Sequence, residues 1–405
     1  MLMRKFLFIL ILPFLSISAN AASGVDLHQH LMMKWGVGPL LKGDFESPLG
    51  AKNWESKIGS KANRETLETS RLGIIVVSLY AHPILVKKWA GGPGGIFESL
   101  ALQVKALQDF VKNSNGEWII AKTASEARVA RAAGKKVFVL SIETAAGAVD
   151  SDAGIAQWID EAGVRIVTFM HLTPDHLGGV ALWPGFGFFN APLAWIRSWI
   201  AGDKDDHGHY INREGLSPSG KVLLEKLAQK RVWIDLAHSS DQTQKDIAEI
   251  LDRYGQPALY THTSYRENLR AERGVSEKQL RRVKDTGGVI GLIVSETMME
   301  PNTLDDGSNP NCHRGFSAFV AEWKSVSEKI SPAQVMLGSD FNAPLNGLRS
   351  GCAKTQDLDL VQNGFFSAAQ LPKLWSALRE MGAPVPIDLQ EQERAFLDAW
   401  AKVNP

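Results

Sequence analysis

The chain has 405 residues, 44% of them hydrophobic, and its 44 basic and 44 acidic side chains leave a formal net charge of zero. That length holds one large domain or two ordinary ones, with ample apolar content for a core. The charge balance argues against nucleic acid as the main partner, because a phosphate-binding surface needs a basic excess.

The N-terminus reads as a targeting segment. Arg4 and Lys5 precede an apolar run from Phe6 to Leu15, and Ala19-Asn20-Ala21 supplies small residues after it. This is the pattern of a secretory signal peptide over 1–22. It predicts a secreted or periplasmic protein whose remaining residues, 23–405, form a single barrel domain. The run is shorter than the ~20 residues that span a bilayer. No second long apolar stretch follows, so no transmembrane span is expected in the mature protein. A homodimer is left open.

Eight strand candidates then follow in order: 25–30, 72–81, 137–143, 165–172, 232–238, 258–263, 288–295 and 335–341. Most are near-continuous runs of Val, Ile and Leu, as parallel strands buried on both faces require. Helical segments lie between them. Ser217-Pro218 supplies an N-cap and a Pro at the first helical position. Asp241 to Tyr254 is helical and closed by Gly255. Ser276-Glu-Lys-Gln279 is a capping box. Phe316, Phe319, Val320, Trp323 and Val326 form the apolar stripe of another helix. Eight strands alternating with helices predict an α/β fold, a (β/α)₈ TIM barrel.

Two loops stand out. Gly91-Gly-Pro-Gly-Gly95 lacks the Lys-Ser/Thr of a phosphate loop. Residues 173–214, after the fourth strand candidate, carry Trp183, Phe186, Phe188, Phe189, Trp195 and Trp199 and then a polar run from Asp203 to His209. This long aromatic-rich loop reads as a lid over substrate, a membrane- or partner-facing patch, or a subdomain with its own small core. Cys312 and Cys352, the two cysteines, fall in loops at one barrel face, and a disulfide between them is expected in an oxidising compartment.

The chemistry gathers at strand ends. His28 and His30 alternate along a strand and so share a face, where two imidazoles can grip one ion. The alternative is a satisfied structural pair. Glu143 ends an apolar run and needs a positive partner there, either two cations or a nearby Lys or Arg. His238 and His262 end the fifth and sixth strand candidates, and Asp340 ends the eighth. Four histidines and two carboxylates suit zinc or another borderline ion better than calcium or magnesium. His82 could face the same cavity. His176, His207, His209 and His313 read as surface or local histidines. Asp26 and Asp235 are expected to point away from the site, Asp26 as an anchor for a neighbouring group.

Asp26-Leu-His28-Gln-His30, the run from Gly215 through Ser217-Pro218 to Asp235-Leu-Ala-His238, His262-Thr-Ser-Tyr265 with Arg273-Gly-Val275, and Leu337-Gly-Ser-Asp340-Phe together resemble the membrane (renal) dipeptidase family of the amidohydrolase superfamily. The resemblance runs over roughly 24–400 and keeps the order of all motifs. It implies two zinc ions, bridged by Glu143 and a water or hydroxide. His28, His30 and Asp340 would hold one ion, and His238 and His262 the other. It implies that His171 contacts substrate and the developing oxyanion, that Arg273 binds a substrate carboxylate, and that Asp340 also moves the proton. The substrate class implied is a small peptide. Two positions depart from the family pattern: His30 stands where the family has Asp, and Asp340-Phe-Asn-Ala343 replaces Asp-Phe-Asp-Gly. They keep a second reading in view, an N-acyl amino acid amidase, lactonase, esterase or phosphoesterase on the same barrel.

Overall fold

Nine parallel strands alternate with helices in a computed structural model that describes residues 24–37, 45–50, 60–184, 190–299, 315–345, 347–348 and 359–405. The strands are β1 (Gly24–Gln29), β2 (Leu72–Leu79), β3 (Trp118–Ile120), β4 (Lys136–Glu143), β5 (Ile166–Thr168), β6 (Trp233–Asp235), β7 (Leu259–Thr263), β8 (Val289–Leu292) and β9 (Val335–Leu337). Their order is β2-β1-β9-β8-β7-β6-β5-β4, and a β2–β4 pairing closes the ring into an eight-stranded barrel. The expected (β/α)₈ barrel is therefore present. β3 is an addition that the sequence reading lacked. It pairs with the first residues of β4, below the stretch that β5 takes up at Ser141–Glu143.

The helices start where their caps predict. Ser217 accepts a hydrogen bond from the Gly220 amide at the head of Pro218–Gln229. Ser276 and Gln279 form both halves of a capping box on Glu277–Thr286. Helix Asp241–Leu251 runs into a 3₁₀ turn that ends at Gly255, which has φ 62°. Among the described residues no helix is long and apolar enough to cross a membrane.

The interior of the barrel is layered, as alternation along parallel strands requires. Val25, Ile74, Val137, Ile166, Trp233 and Leu259 fill its lower part. Phe396 and Trp400 of the C-terminal helix Gln390–Val403 pack against that layer and plug the floor. Two residues further along β5, β6 and β7 the same inward face carries Thr168, Asp235 and Thr261, all fully buried. The polar chemistry thus sits on an apolar floor, at the C-terminal ends of the strands.

The described residues of the aromatic loop after β5 pack against the barrel. Leu177, Val180, Leu182, Ala191 and Ala194 join the main core, and Trp183 packs on Leu269, Ala271, Ile293 and Met298. Helix Pro192–Ala201 leaves Leu193, Trp199 and Ile200 exposed. Phe186, Phe188, Phe189, both cysteines, His313 and the 1–22 segment lie outside the described residues.

Candidate metal centre

Six proposed ligands from five strands converge on one buried point. His28 Nε2 lies 3.2 Å from His30 Nε2, and His238 Nε2 lies 2.7 Å from His262 Nε2. Glu143 stands between the two pairs. Its Oε1 is 3.3 Å from His238 Nε2, 3.5 Å from His262 Nε2 and 3.7 Å from His28 Nε2, and its Oε2 is 3.2 Å from His30 Nε2. Asp340 Oδ1 approaches His30 Nε2 at 3.2 Å. All six side chains are buried. The sets His28–His30–Asp340 and Glu143–His238–His262 each bring their donor atoms within 4.8 Å of one another, the separation one ion can bridge.

Local irregularities aim these side chains. β1 carries one extra residue relative to β2 between Asp26 and Gln29, and β7 carries one relative to β8 between Tyr260 and Thr263. A bulge of this kind re-aims a side chain without ending the strand. Through it Thr261 and His262, neighbours in sequence, turn toward one cluster. Gly291 and Gly338 make room for the bulge: a Cβ on either would meet the Thr261 carbonyl oxygen at 2.1 and 2.2 Å. His238 and Asp340 follow their strands in the left-handed region, with φ 65° and 54°. That conformation is strained for non-glycine residues.

Three of the four second ring nitrogens, those of His28, His30 and His262, are anchored in turn. His30 Nδ1 donates to the Ser78 carbonyl at 3.1 Å. His28 Nδ1 and His262 Nδ1 both meet Thr261 Oγ1, at 2.9 and 3.0 Å. Asp26 is the anchor expected of it, accepting from Gln29 Nε2 and the Ser339 amide. Asp235 corrects its expectation. β6 ends at Asp235 and the chain then turns, so strand alternation does not carry on to His238. Asp235 shares the inward face of Trp233 and bonds Thr168 and Thr261. His82 Nδ1 accepts from the Ile84 and Leu85 amides and closes a turn.

Electrostatics follow from burial and from the two carboxylates. Burial lowers His28 to about 4 despite Glu143, and drives His238 and His262 well below the ordinary imidazole value. Burial opposes a charge on His30 too, but the adjacent Asp340 and Glu143 carboxylates hold its proton up to about 10. Glu143 is pushed up by burial and pulled further down by its histidines, so it stays ionised. His28, His238 and His262 are therefore neutral imidazoles, the form that binds a metal.

His171 and Arg273 border this cluster. His171 Nε2 is 3.4 Å from Glu143 Oε1, and its ring packs on Tyr80 and His238. Arg273 is buried, and its Nη2 lies 3.1 Å from His238 Nε2 and donates to the His262 carbonyl at 3.1 Å. Burial lowers its pKa to about 10, so it keeps its charge. Asp340 Oδ1, His238 Nδ1 and Arg273 Nε are buried without a hydrogen bond of good geometry. Buried polar atoms are seldom left so, and these three lie together among the proposed ligands, where an ion or substrate could engage them. Imidazoles with carboxylates fit zinc.

Glu272, which the sequence reading passed over, holds the surrounding loops. It accepts from the amides of Leu182, Asn212 and Asp241 at 2.8, 2.8 and 2.9 Å. Arg273 returns a bond from its own amide to the Leu182 carbonyl at 3.1 Å. Both ends of the aromatic loop are thereby tied to the segment that carries Arg273. A lone Glu before Arg273 gave no sequence signal for this.

Residues 188–361 match the model of the family described as membrane dipeptidase (peptidase family M19). An uncharacterised Klebsiella pneumoniae protein is 22% identical over 290 residues, which cover 72% of this chain and 90% of that one. An uncharacterised dipeptidase of Schizosaccharomyces pombe is 24% identical over 210 residues, covering 52% of this chain and 45% of its own length. Among solved structures, a Rhodobacter sphaeroides metallopeptidase liganded with a phosphinate mimic of the dipeptide L-Ala-D-Ala superposes with a TM-score of 0.64 at 16% identity, covering 94% of this chain and 99% of that one. The probable dipeptidase PvdM from Pseudomonas aeruginosa gives 0.67 at 17% identity, covering 95% and 96%. These last two show the fold. With that fold and the matched segment, the chain is similar to the membrane dipeptidase family, and its buried histidines and carboxylates are those of a metal-dependent hydrolase.

Proposed function

We propose that this protein is an exported dipeptidase with two zinc ions. The observation that carries the reading is the placement of Glu143 between two histidine pairs, with Asp340 beside one of them. In this reading His28, His30 and Asp340 hold one ion, His238 and His262 the other, and Glu143 joins both. Bound zinc would supply Lewis acidity and a water acidified towards neutral pH. The export reading rests on Arg4, Lys5, the apolar run to Leu15 and Ala19-Asn20-Ala21. Residues 23–405 would then be the mature hydrolase domain.

The chain's own groups would divide the rest of the work. Arg273 would pair with the free carboxylate of a small peptide, a task its planar fork suits. His171, on the far side of Glu143 from the floor, would donate to the carbonyl oxygen as it gains charge. Asp340 would take a proton from the attacking water and return it to the leaving amine. The left-handed turns at His238 and Asp340 would hold both side chains beside the other proposed ligands before substrate arrives.

Asn342, one of the departures from the family pattern, has a local explanation. Its Oδ1 accepts from the Lys61 and Ala62 amides at 2.6 and 3.0 Å, and its Nδ2 donates to the Ala62 carbonyl at 2.9 Å. It latches a neighbouring loop, so this departure does not favour another substrate. His30 adds an imidazole in place of a carboxylate and keeps the second reading, a different amidohydrolase-type hydrolase, worth testing. The test is a panel of dipeptides, N-acyl amino acids, lactones, carboxylic esters and phosphate esters, given to zinc-loaded and to chelator-stripped protein. Dipeptide turnover that disappears on stripping and returns with zinc is expected. Turnover confined to another substrate class, or unchanged by stripping, would overturn the reading.

A further inference from the structure

We propose that the hydroxyl of Thr261 is a positioning group shared by the two ion sites, so that one oxygen orients a ligand of each. The inference rests on the ligand assignment under Proposed function. Thr261 Oγ1 lies 2.9 Å from His28 Nδ1, 3.0 Å from His262 Nδ1 and 2.6 Å from Asp235 Oδ2. His28 belongs to one proposed ion and His262 to the other.

Counting donors and acceptors fixes the roles. A hydroxyl has one proton and two lone pairs. Its proton goes to Asp235, leaving both lone pairs to accept. Each imidazole must then carry its proton on Nδ1 and present a bare Nε2 to the cavity, the state in which it binds a metal. Asp235 is placed close enough to His28 and His262 to form a metal set with them. Its oxygens are already engaged. Oδ1 accepts from the amides of Thr261 and Ala237, and Oδ2 accepts from the hydroxyls of Thr168 and Thr261. Four donors occupy the roughly four acceptor positions of a carboxylate. Asp235 therefore serves as the anchor of Thr261 and not as a seventh ligand.

The backbone is shaped for this contact. In a regular strand Thr261 and His262 would face opposite sides. The extra residue in β7 brings both into the cluster, and Gly291 and Gly338 admit the displaced Thr261 carbonyl. Because one oxygen serves both rings, its loss should loosen both ions at once. An outer-shell partner serving a single ligand would affect one ion.

The test titrates metal-free wild type, Thr261→Val and Thr261→Ser with Zn²⁺ against a competing chelator, and records the Co²⁺ absorption spectrum of each. Val keeps the shape and removes the hydroxyl; Ser restores it. Thr261→Val is expected to weaken both ions by about 10–100-fold and to change the Co²⁺ spectrum, as loss of an outer-shell partner does. Thr261→Ser is expected to stay within a few-fold of wild type. Wild-type affinity for both ions in Thr261→Val, a loss confined to one ion, or an equal loss in Thr261→Ser would each overturn the proposal. If Thr261→Val does not fold, Asp235→Asn decides. Its amide would donate to Thr261 and force the hydroxyl proton onto a histidine, so at least tenfold weaker binding is expected and unchanged binding overturns the proposal. Wild type that binds no ion would overturn the reading under Proposed function as well, whereas two tight ions in both wild type and Thr261→Val would overturn this inference alone.

Discussion

Arg273 Nη2 lies 3.1 Å from the Nε2 atom of His238, the same atom that faces His262 at 2.7 Å and Glu143 at 3.3 Å. A guanidinium hydrogen bond and a metal bond draw on one lone pair, so they exclude each other. An ion held at His238 would release that arm of Arg273 for a substrate carboxylate. Arg273→Met should therefore bind zinc at least as tightly as wild type. It should lose roughly 2–5 kcal/mol in kcat/KM on a dipeptide, the cost of leaving one member of a buried charge pair alone. The C-terminal amide of the same dipeptide should be nearly spared. Zinc titration plus kinetics on the acid and its amide checks this, and equal losses on both substrates would make Arg273 structural.

Glu143→Gln removes the charge between the two histidine pairs while keeping the shape. Both proposed ions should weaken, each by at least about 10–100-fold, since even an outer-shell partner is worth that much. Metal content after dialysis against a defined zinc buffer measures it. Two ions retained at wild-type affinity would show that Glu143 does not join them.

Asp340→Asn separates proton transfer from holding an ion. General acid–base assistance is worth about 10²–10⁴-fold in rate. A kcat loss of that size is expected, with the His238–His262 ion still present by metal analysis. A loss under about tenfold in fully loaded protein would assign the proton to another group.

Away from the site, Glu322 titrates against folding. It lies on helix Phe316–Ser327, its Oε1 accepts from the Tyr265 amide at 2.5 Å, and its Oε2 is buried. Burial pushes its pKa from 4.5 up to about 8. Between those values the folded chain keeps a proton that the unfolded chain has lost, so stability falls as pH rises. The slope from one such group is at most about 1.4 kcal/mol per pH unit. Glu322→Gln should match wild type near pH 4.5, gain on it progressively up to pH 8, and keep a constant advantage above. Melting temperatures from pH 4.5 to 9 test this; a constant gap at every pH would remove Glu322 from the account.

The barrel was legible because its strands are apolar on both faces, so Val137–Ile142 and Ile74–Leu79 declare themselves without alternation. β3 was not, because three residues, Trp118–Ile120, carry too little pattern to separate from a loop. The histidines and carboxylates were legible as polar ends to apolar runs. Arg273 and His171 were legible through resemblance, since neither spacing nor neighbours mark them. Asp235 was misread because strand parity was carried from His238 back through a turn. Thr261 was missed although it carried a signal: it is a polar residue, next to a histidine, in a strand otherwise fit for burial.

The clip at Glu272 sets a rule for loop exchange. Its carboxylate holds Leu182 near the start of the aromatic loop and Asn212 near its end, while Arg273, the next residue, bonds back to Leu182. Cutting the loop outside these two points strands a buried carboxylate and unseats the neighbouring guanidinium together. A graft from a relative should therefore be spliced between 183 and 211, so that Leu182 and Asn212 stay on the clip. It should also carry residues that replace Trp183 on Leu269 and Ala271, Ala191 and Ala194 in the main core, and Asp205 beside Arg266.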